Sequence, residues 1–153
     1  MTTILVVNGP NLNNLGTRAS EHYGTLPLSN IEDRLNIRAE ELDCDLIFRQ
    51  SNFEGELVNF INQKTSEAKG IIINPAGLTR VGYPLLDACI DSNLPFVEVH
   101  LSNIYRREEW RSDSIFSKIA NATVSGMQWR GYMAALEYLA SVINVEDCGG
   151  QQT

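Results

Sequence analysis

The chain has 153 residues, 43% of them apolar and 20% charged, which fits one globular domain of ordinary composition. A net charge of −7 argues against a nucleic-acid footprint, which needs a basic face. No apolar run approaches the ~20 residues of a membrane-spanning helix, so no membrane partner is expected. The opening MTTILVVNGPN has no basic leader segment and runs straight into a strand pattern, so a cytoplasmic location is expected.

Thr3–Asn8 (TILVVN) is the first β-rich run, and a polar loop from Gly9 to about Leu28 follows it. Asn30–Cys44 then places Ile31, Leu35, Ala39 and Leu42 on one helical face, with Ser29 and Glu32 spaced as a capping box. Leu46–Gln50 reads as the second strand. Ser51 and Glu54 repeat the capping spacing before a helix carrying Leu57, Val58 and Ile61. Gly70–Asn74 is the third strand, followed by a helix over about Tyr83–Asn93. Phe96–His100 is the fourth strand, and an arginine-rich loop, Leu101–Ser117, leaves it. Ala122–Gly126 is the fifth strand and Gly131–Ile143 the last helix, with Leu136, Leu139 and Ile143 apolar.

Strands that are nearly continuous apolar runs, alternating with helices, predict a parallel sheet covered on both faces. Five such units predict a flavodoxin-like α/β domain with a five-stranded parallel sheet over residues 1–145. The polar tail Glu146–Thr153 is expected to fray. Cys44, Cys89 and Cys148 form no CxxC pattern, and they read as free thiols of a reducing cytosol, Cys44 and Cys89 on helices.

In such sheets ligands bind beyond the carboxyl ends of the strands. Those ends read Asn8-Gly9-Pro10-Asn11, Gln50-Ser51-Asn52, Asn74-Pro75 and His100-Leu101-Ser102-Asn103. Turns and helix caps favour the same residue types, but four polar ends with an imidazole point to a site. His22 and His100 are lone histidines and no carboxylates pair at the strand ends, so no metal is expected. GPNLNNLG has neither the Walker lysine nor the GxGxxG spacing, so no nucleotide cofactor is expected.

Arg18, Arg80, Arg106, Arg107 and Arg111 all lie after strand ends of an acidic chain, which points to a small anionic substrate. Arg107 and Arg111, four apart, are expected to share a helical face. A guanidinium beside a phenol favours the phenolate, so Arg18 and Tyr23 on one loop can supply a general base. His100 can act as general acid, or orient one. Glu98, two residues upstream, leaves the strand on the same face and can fix the His100 tautomer. A base, an acid and anion-binding amides fit proton abstraction next to a carbonyl followed by loss of water.

The segments VVNGPNLNNLGTR (6–18), YGTL (23–26), QSNFEGELVNFI (50–61), IIINPAGLT (71–79), VEVHLSN (97–103) and REEWR (107–111) occur in one order along the chain. With Asp87-Ala88 and Gly131-Tyr132, they make the sequence resemble the type II 3-dehydroquinate dehydratases over nearly its whole length. The resemblance implies a flavodoxin-like fold assembled as a dodecamer built from trimers. It also implies dehydration of 3-dehydroquinate to 3-dehydroshikimate through an enolate, without metal or cofactor. On this resemblance Tyr23 is the base at C2, Arg18 its activator, and His100 the acid at the C1 hydroxyl. Asn11 then holds a water or the enolate oxygen. Asn74 and the main chain at Leu101 and Ser102 cradle the carboxylate and a nearby hydroxyl. Arg111 contacts a ring hydroxyl, Arg107 belongs to the active-site region, and Asp87 reaches into a neighbouring subunit's site.

The sequence departs from the family pattern after the third strand. Asn74–Ala88 reads NPAGLTRVGYPLLDA, with Arg80 where the family carries a histidine that contacts the ring substituents. Val81-Gly82, Leu86, Ala19-Ser20 and Trp129 also depart from the pattern. A guanidinium in place of an imidazole adds permanent charge and length. Three readings stay open: a dehydratase in which Arg80 still binds the substrate, a lyase on a related hydroxylated cyclic carboxylic acid, and a non-catalytic protein that binds such an acid.

Overall fold

Five strands form in this computed structural model, which describes residues 1–148: β1 (Thr2–Asn8), β2 (Cys44–Gln50), β3 (Gly70–Asn74), β4 (Phe96–His100) and β5 (Ala122–Ser125). All pair in parallel, in the order β2-β1-β3-β4-β5. This is the expected flavodoxin-like order, and its switch point lies between β1 and β3. The helices are α1 (Ser20–Tyr23), α2 (Leu28–Glu41), α3 (Glu54–Lys64), α4 (Tyr83–Asp91), α5 (Glu109–Ser112) and α6 (Arg130–Cys148).

Alternation along the strands divides the interior into two layers. Ile4, Val6, Ile72, Val97 and Val99 pack under α2 and α6, against Ile31, Leu35, Leu136 and Leu139. Leu5, Val7, Ile71, Ile73 and Phe96 pack under α3 and α4, against Leu57, Ile61, Leu85 and Cys89. Phe96, Glu98 and His100 share the second face by the two-residue period of a strand. Glu98 is therefore a wholly buried carboxylate placed in an apolar layer.

Several local expectations are corrected. α2 starts at Leu28, behind Pro27, and Ser29 makes no capping bond. Pro27 lacks an N–H and has its φ fixed at −61°, and its carbonyl accepts from Asn30 and Ile31. The helix stops at Glu41 because Asp43 adopts a left-handed φ of 57° and turns the chain into β2. Cys44 thus opens a strand and is not on a helix; Cys89 lies on α4. Burial raises both thiols above their ordinary range, Cys89 to about 12. Ser51 does not cap α3 with Glu54: its hydroxyl accepts from the Phe53 amide and donates to Glu56. Glu54 instead accepts from the Leu85 amide of α4, at 3.3 Å. α6 runs to Cys148, three residues into the expected tail, and the rest of that tail lies outside the described residues. No helix of the described residues is long and apolar enough to cross a membrane.

The turn after β1 passes so close to β3 that a side chain does not fit. A Cβ on Gly9 would stand 2.4 Å from the Pro75 carbonyl oxygen, while the Gly9 amide donates to the Asn74 carbonyl at 2.8 Å. Gly9→Ala is therefore expected to cost about 2 kcal/mol or more by forcing these backbones apart. Urea unfolding checks this, and a midpoint equal to that of the wild type would show that the approach can relax.

Candidate active site

The register of β1 and β3 sets Asn8 beside Asn74 at the switch point. β4, next to β3, delivers His100, Leu101 and Ser102 to the same rim. The loop after β1 supplies Asn11, Arg18 and Tyr23, and the loop after β4 supplies Arg107, Trp110 and Arg111. Together with Asn74, Thr79 and Arg80 these residues line one cavity of about 180 Å³. Four arginines reach it and no carboxylate side chain among the described residues lines it, although the chain is acidic.

Two guanidiniums converge on one phenol. Arg18 donates through Nη2 to the Tyr23 hydroxyl oxygen at 3.1 Å, and Arg107 donates through Nη1 at 2.8 Å. The guanidinium carbon of Arg18 also lies 4.2 Å from the Tyr23 ring centroid. Charge-assisted donors of this kind make short, strong hydrogen bonds that fix the phenol oxygen in place. Arg107 reaches on to the Ser102 hydroxyl at 3.2 Å, which ties the loop carrying Tyr23 to the end of β4. The sequence spacing placed Arg107 and Arg111 on one helical face, but Arg107 is extended, with φ −113° and ψ −162°, and precedes α5. Arg107 thus meets the cavity from an extended residue and Arg111 from the short helix α5.

His100 is held from behind. Its Nε2 lies 2.6 Å from Glu98 Oε2, so Nδ1 is the ring nitrogen left without a protein partner among the described residues. Glu98 also accepts from the hydroxyls of Ser114 and Ser117, each at 2.5 Å. Burial alone raises the Glu98 carboxyl, but the hydrogen bond and charge of His100 and the two serine hydroxyls together hold it below its ordinary value. Glu98 is thus a buried carboxylate set against one imidazole nitrogen.

Asn74 accepts through Oδ1 from the Ala76 amide at 3.1 Å and donates through Nδ2 to Tyr132 at 3.0 Å. Ala76 has a left-handed φ of 52°, a strained conformation costing about 1 kcal/mol for a non-glycine residue. Asn11 is also left-handed, with φ 68°, and its amide donates to Asn52 Oδ1 at 2.9 Å. Arg80 is exposed, and its Nε lies 3.4 Å from Asp113 Oδ2. Arg111 is bonded to Glu108 at 2.6 Å.

Asp87 does not line this cavity and is exposed on α4. His22 and Arg106 border a separate depression beside Tyr23's loop. Trp129 lies off the cavity, against the guanidiniums of Arg34 and Arg130 at 4.5 and 4.6 Å. No group of three potential metal ligands occurs among the described residues. The residues that sequence reasoning missed are Trp110, Thr79, Ser114 and Ser117. The two serines had no signal, because a hydroxyl 16 or 19 positions away from a glutamate is not a motif.

The sequence profile described as Dehydroquinase class II matches residues 2–140. The chain belongs to that family. A 3-dehydroquinate dehydratase of Roseiflexus castenholzii is 46% identical, over 89% of this chain and 87% of that protein. One of Halothermothrix orenii is 43% identical, over 94% and 97%. The crystal structure of type II dehydroquinase from Propionibacterium acnes superposes with a TM-score of 0.88 at 36% identity, covering 92% of this chain and 97% of that one.

Glu98 links stability to pH. Its carboxyl is depressed on folding, so its contribution is complete above the ordinary value of 4.5 and is lost as pH falls through the folded value. Wild type is expected to exceed Glu98→Gln in stability near neutrality, with the gap closing in acid. Urea unfolding of both proteins from about pH 7 to about pH 3 reads this. A gap that stays constant would contradict the depressed carboxyl.

Proposed function

We propose that the protein dehydrates 3-dehydroquinate to 3-dehydroshikimate. The observation that carries this reading is the Tyr23 phenol, held by two guanidiniums in the same cavity as a carboxylate-oriented imidazole. Its family's activity and its 3-dehydroquinate dehydratase relatives support the same reading.

In this mechanism ionised Tyr23 takes the C2 proton next to the ketone, and the C–H electron pair forms the enolate. Arg18 and Arg107 donate to the phenol oxygen and hold it in place for the transfer. The enolate then collapses: C1=C2 forms, the C1–O bond breaks, and His100, entering the step as an imidazolium whose Nε2–H stays on Glu98, gives its Nδ1 proton so that the hydroxyl leaves as water. Asn11 holds the enolate oxygen or a water beside it. Asn74, with the Leu101 and Ser102 main chain, receives the substrate carboxylate, and Arg111 and Arg80 meet the ring hydroxyls. Placing four guanidiniums around an anionic substrate favours its capture by a protein of net charge −7.

We further propose a homo-oligomer, a dodecamer built from trimers, in which Asp87 serves a neighbour's site. Asp87 is exposed on α4, open to a second copy of the chain. The buried thiols Cys44 and Cys89 fit a reducing cytoplasm.

One observation favours a second reading. Arg80 lines the cavity where the family pattern has histidine, so the site could take a related hydroxylated cyclic acid. On the dehydratase reading, Arg80→His changes kcat/KM for 3-dehydroquinate by less than about tenfold. A much larger gain would shift the assignment to another ring acid.

The central test adds 3-dehydroquinate and follows the near-ultraviolet absorbance of the conjugated enone. Wild type should raise it, and Tyr23→Phe and His100→Ala should each lower the rate by at least ~100-fold. A wild type that gives no rise at high enzyme concentration contradicts the assignment. Ring-acid binding without turnover, unchanged in Tyr23→Phe, would support a binding protein instead.

A further inference from the structure

We infer that Tyr132 is a positioning residue of the substrate-carboxylate cradle, acting through Asn74 and anchored by Asn8. The inference rests on the assignment of Asn74 to the carboxylate.

Asn8 and Asn74 are register partners at the ends of β1 and β3, and both are at least nine-tenths buried. Their side chains leave the sheet toward α6, since each lies two positions beyond a residue packed under that helix, Val6 and Ile72. Tyr132, on the first turn of α6, is 0% exposed and brings its hydroxyl between them. It receives Asn74 Nδ2 at 3.0 Å and donates to Asn8 Oδ1 at 2.6 Å.

The direction of these bonds is fixed by elimination. The Ala76 amide can only donate, so it requires Asn74 Oδ1 and turns Nδ2 toward Tyr132. The phenol, having accepted from Asn74, sends its own proton to Asn8. Burial pushes its ionisation further above the ordinary range, so it stays a hydroxyl with one proton to give. One Asn74 N–H is thereby consumed inside the protein, and the other is left for the cavity that Asn74 lines.

Neither Tyr132 nor Asn8 lines that cavity, so any effect on a ligand passes through the Asn74 amide. The same amide supports the left-handed Ala76, which also borders the cavity. Without the phenol oxygen, Asn74 keeps only its Ala76 bond. The terminal torsion of asparagine is broad, so a single bond leaves the free N–H poorly aimed.

The alternative, a tyrosine serving only as core filling, is separated by a double-mutant cycle. Tyr132→Phe keeps the ring and removes the oxygen. Binding of quinate, a stable cyclohexane carboxylate, is measured by calorimetry in wild type, Tyr132→Phe, Asn74→Ala and the double variant. Tyr132→Phe is expected to raise Kd about tenfold in the wild-type background and less than about twofold in the Asn74→Ala background. In turnover, KM rises while kcat stays within about threefold, as for a lost uniform binding interaction. Asn8→Ala, which removes the acceptor of the phenol proton, should shift Kd in the same direction if Tyr132→Phe folds poorly.

Equal effects of Tyr132→Phe in both backgrounds, no effect in the wild-type background, or a wild type that does not bind the ring acid would each overturn the inference. A wild type that binds quinate with the expected cycle yet does not dehydrate 3-dehydroquinate overturns the dehydratase reading alone.

Discussion

Arg107 is the pivot of the site. Its side chain is 9% exposed, yet it carries a full positive charge. A guanidinium withdrawn from water costs several kcal/mol unless oxygens replace the hydration. Here the replacing oxygens are the Tyr23 phenol and the Ser102 hydroxyl, one on the loop after β1 and one at the end of β4. The charge therefore holds together the two segments that close the cavity, and it does so through the oxygen assigned as the base.

Glu98 is the mirror of that arrangement. A carboxylate with no exposure stands under the sheet, and His100, Ser114 and Ser117 supply the donors that water would have given. The serines also pin the far end of the loop that carries Arg107, Trp110 and Arg111. One buried anion thus orients the imidazole and anchors the loop of arginines. A third network, the neutral set of Asn8, Tyr132 and Asn74, fixes the remaining wall.

The fold was legible because strand periodicity is strong: β3 and β4 fall on the residues that their apolar runs predict. Helix starts were harder to read. Pro27 and Phe53 set them where Ser29 and Ser51 had the better capping chemistry, since chain direction out of the preceding turn outweighed a local hydrogen bond. Tyr23, Arg18 and His100 could be paired from their places after strand ends. The convergence of Arg107 on Tyr23 could not, because it spans 84 positions and depends on an extended residue before α5. Tyr132 was visible only as part of a family match, since its partners are distant in sequence and close through the register of β1 and β3.

The proposed dehydration needs one cavity to hold a ring acid between an arginine-supported phenol and a glutamate-backed imidazole. A crystal structure of the Tyr23→Phe variant with 3-dehydroquinate bound tests that most directly. The expected complex has the carboxylate on Asn74 and the Leu101 and Ser102 amides, C2 facing residue 23, and the C1 hydroxyl facing His100 Nδ1. A ring bound with C2 turned away from residue 23, or with its carboxylate on Arg80, would contradict it.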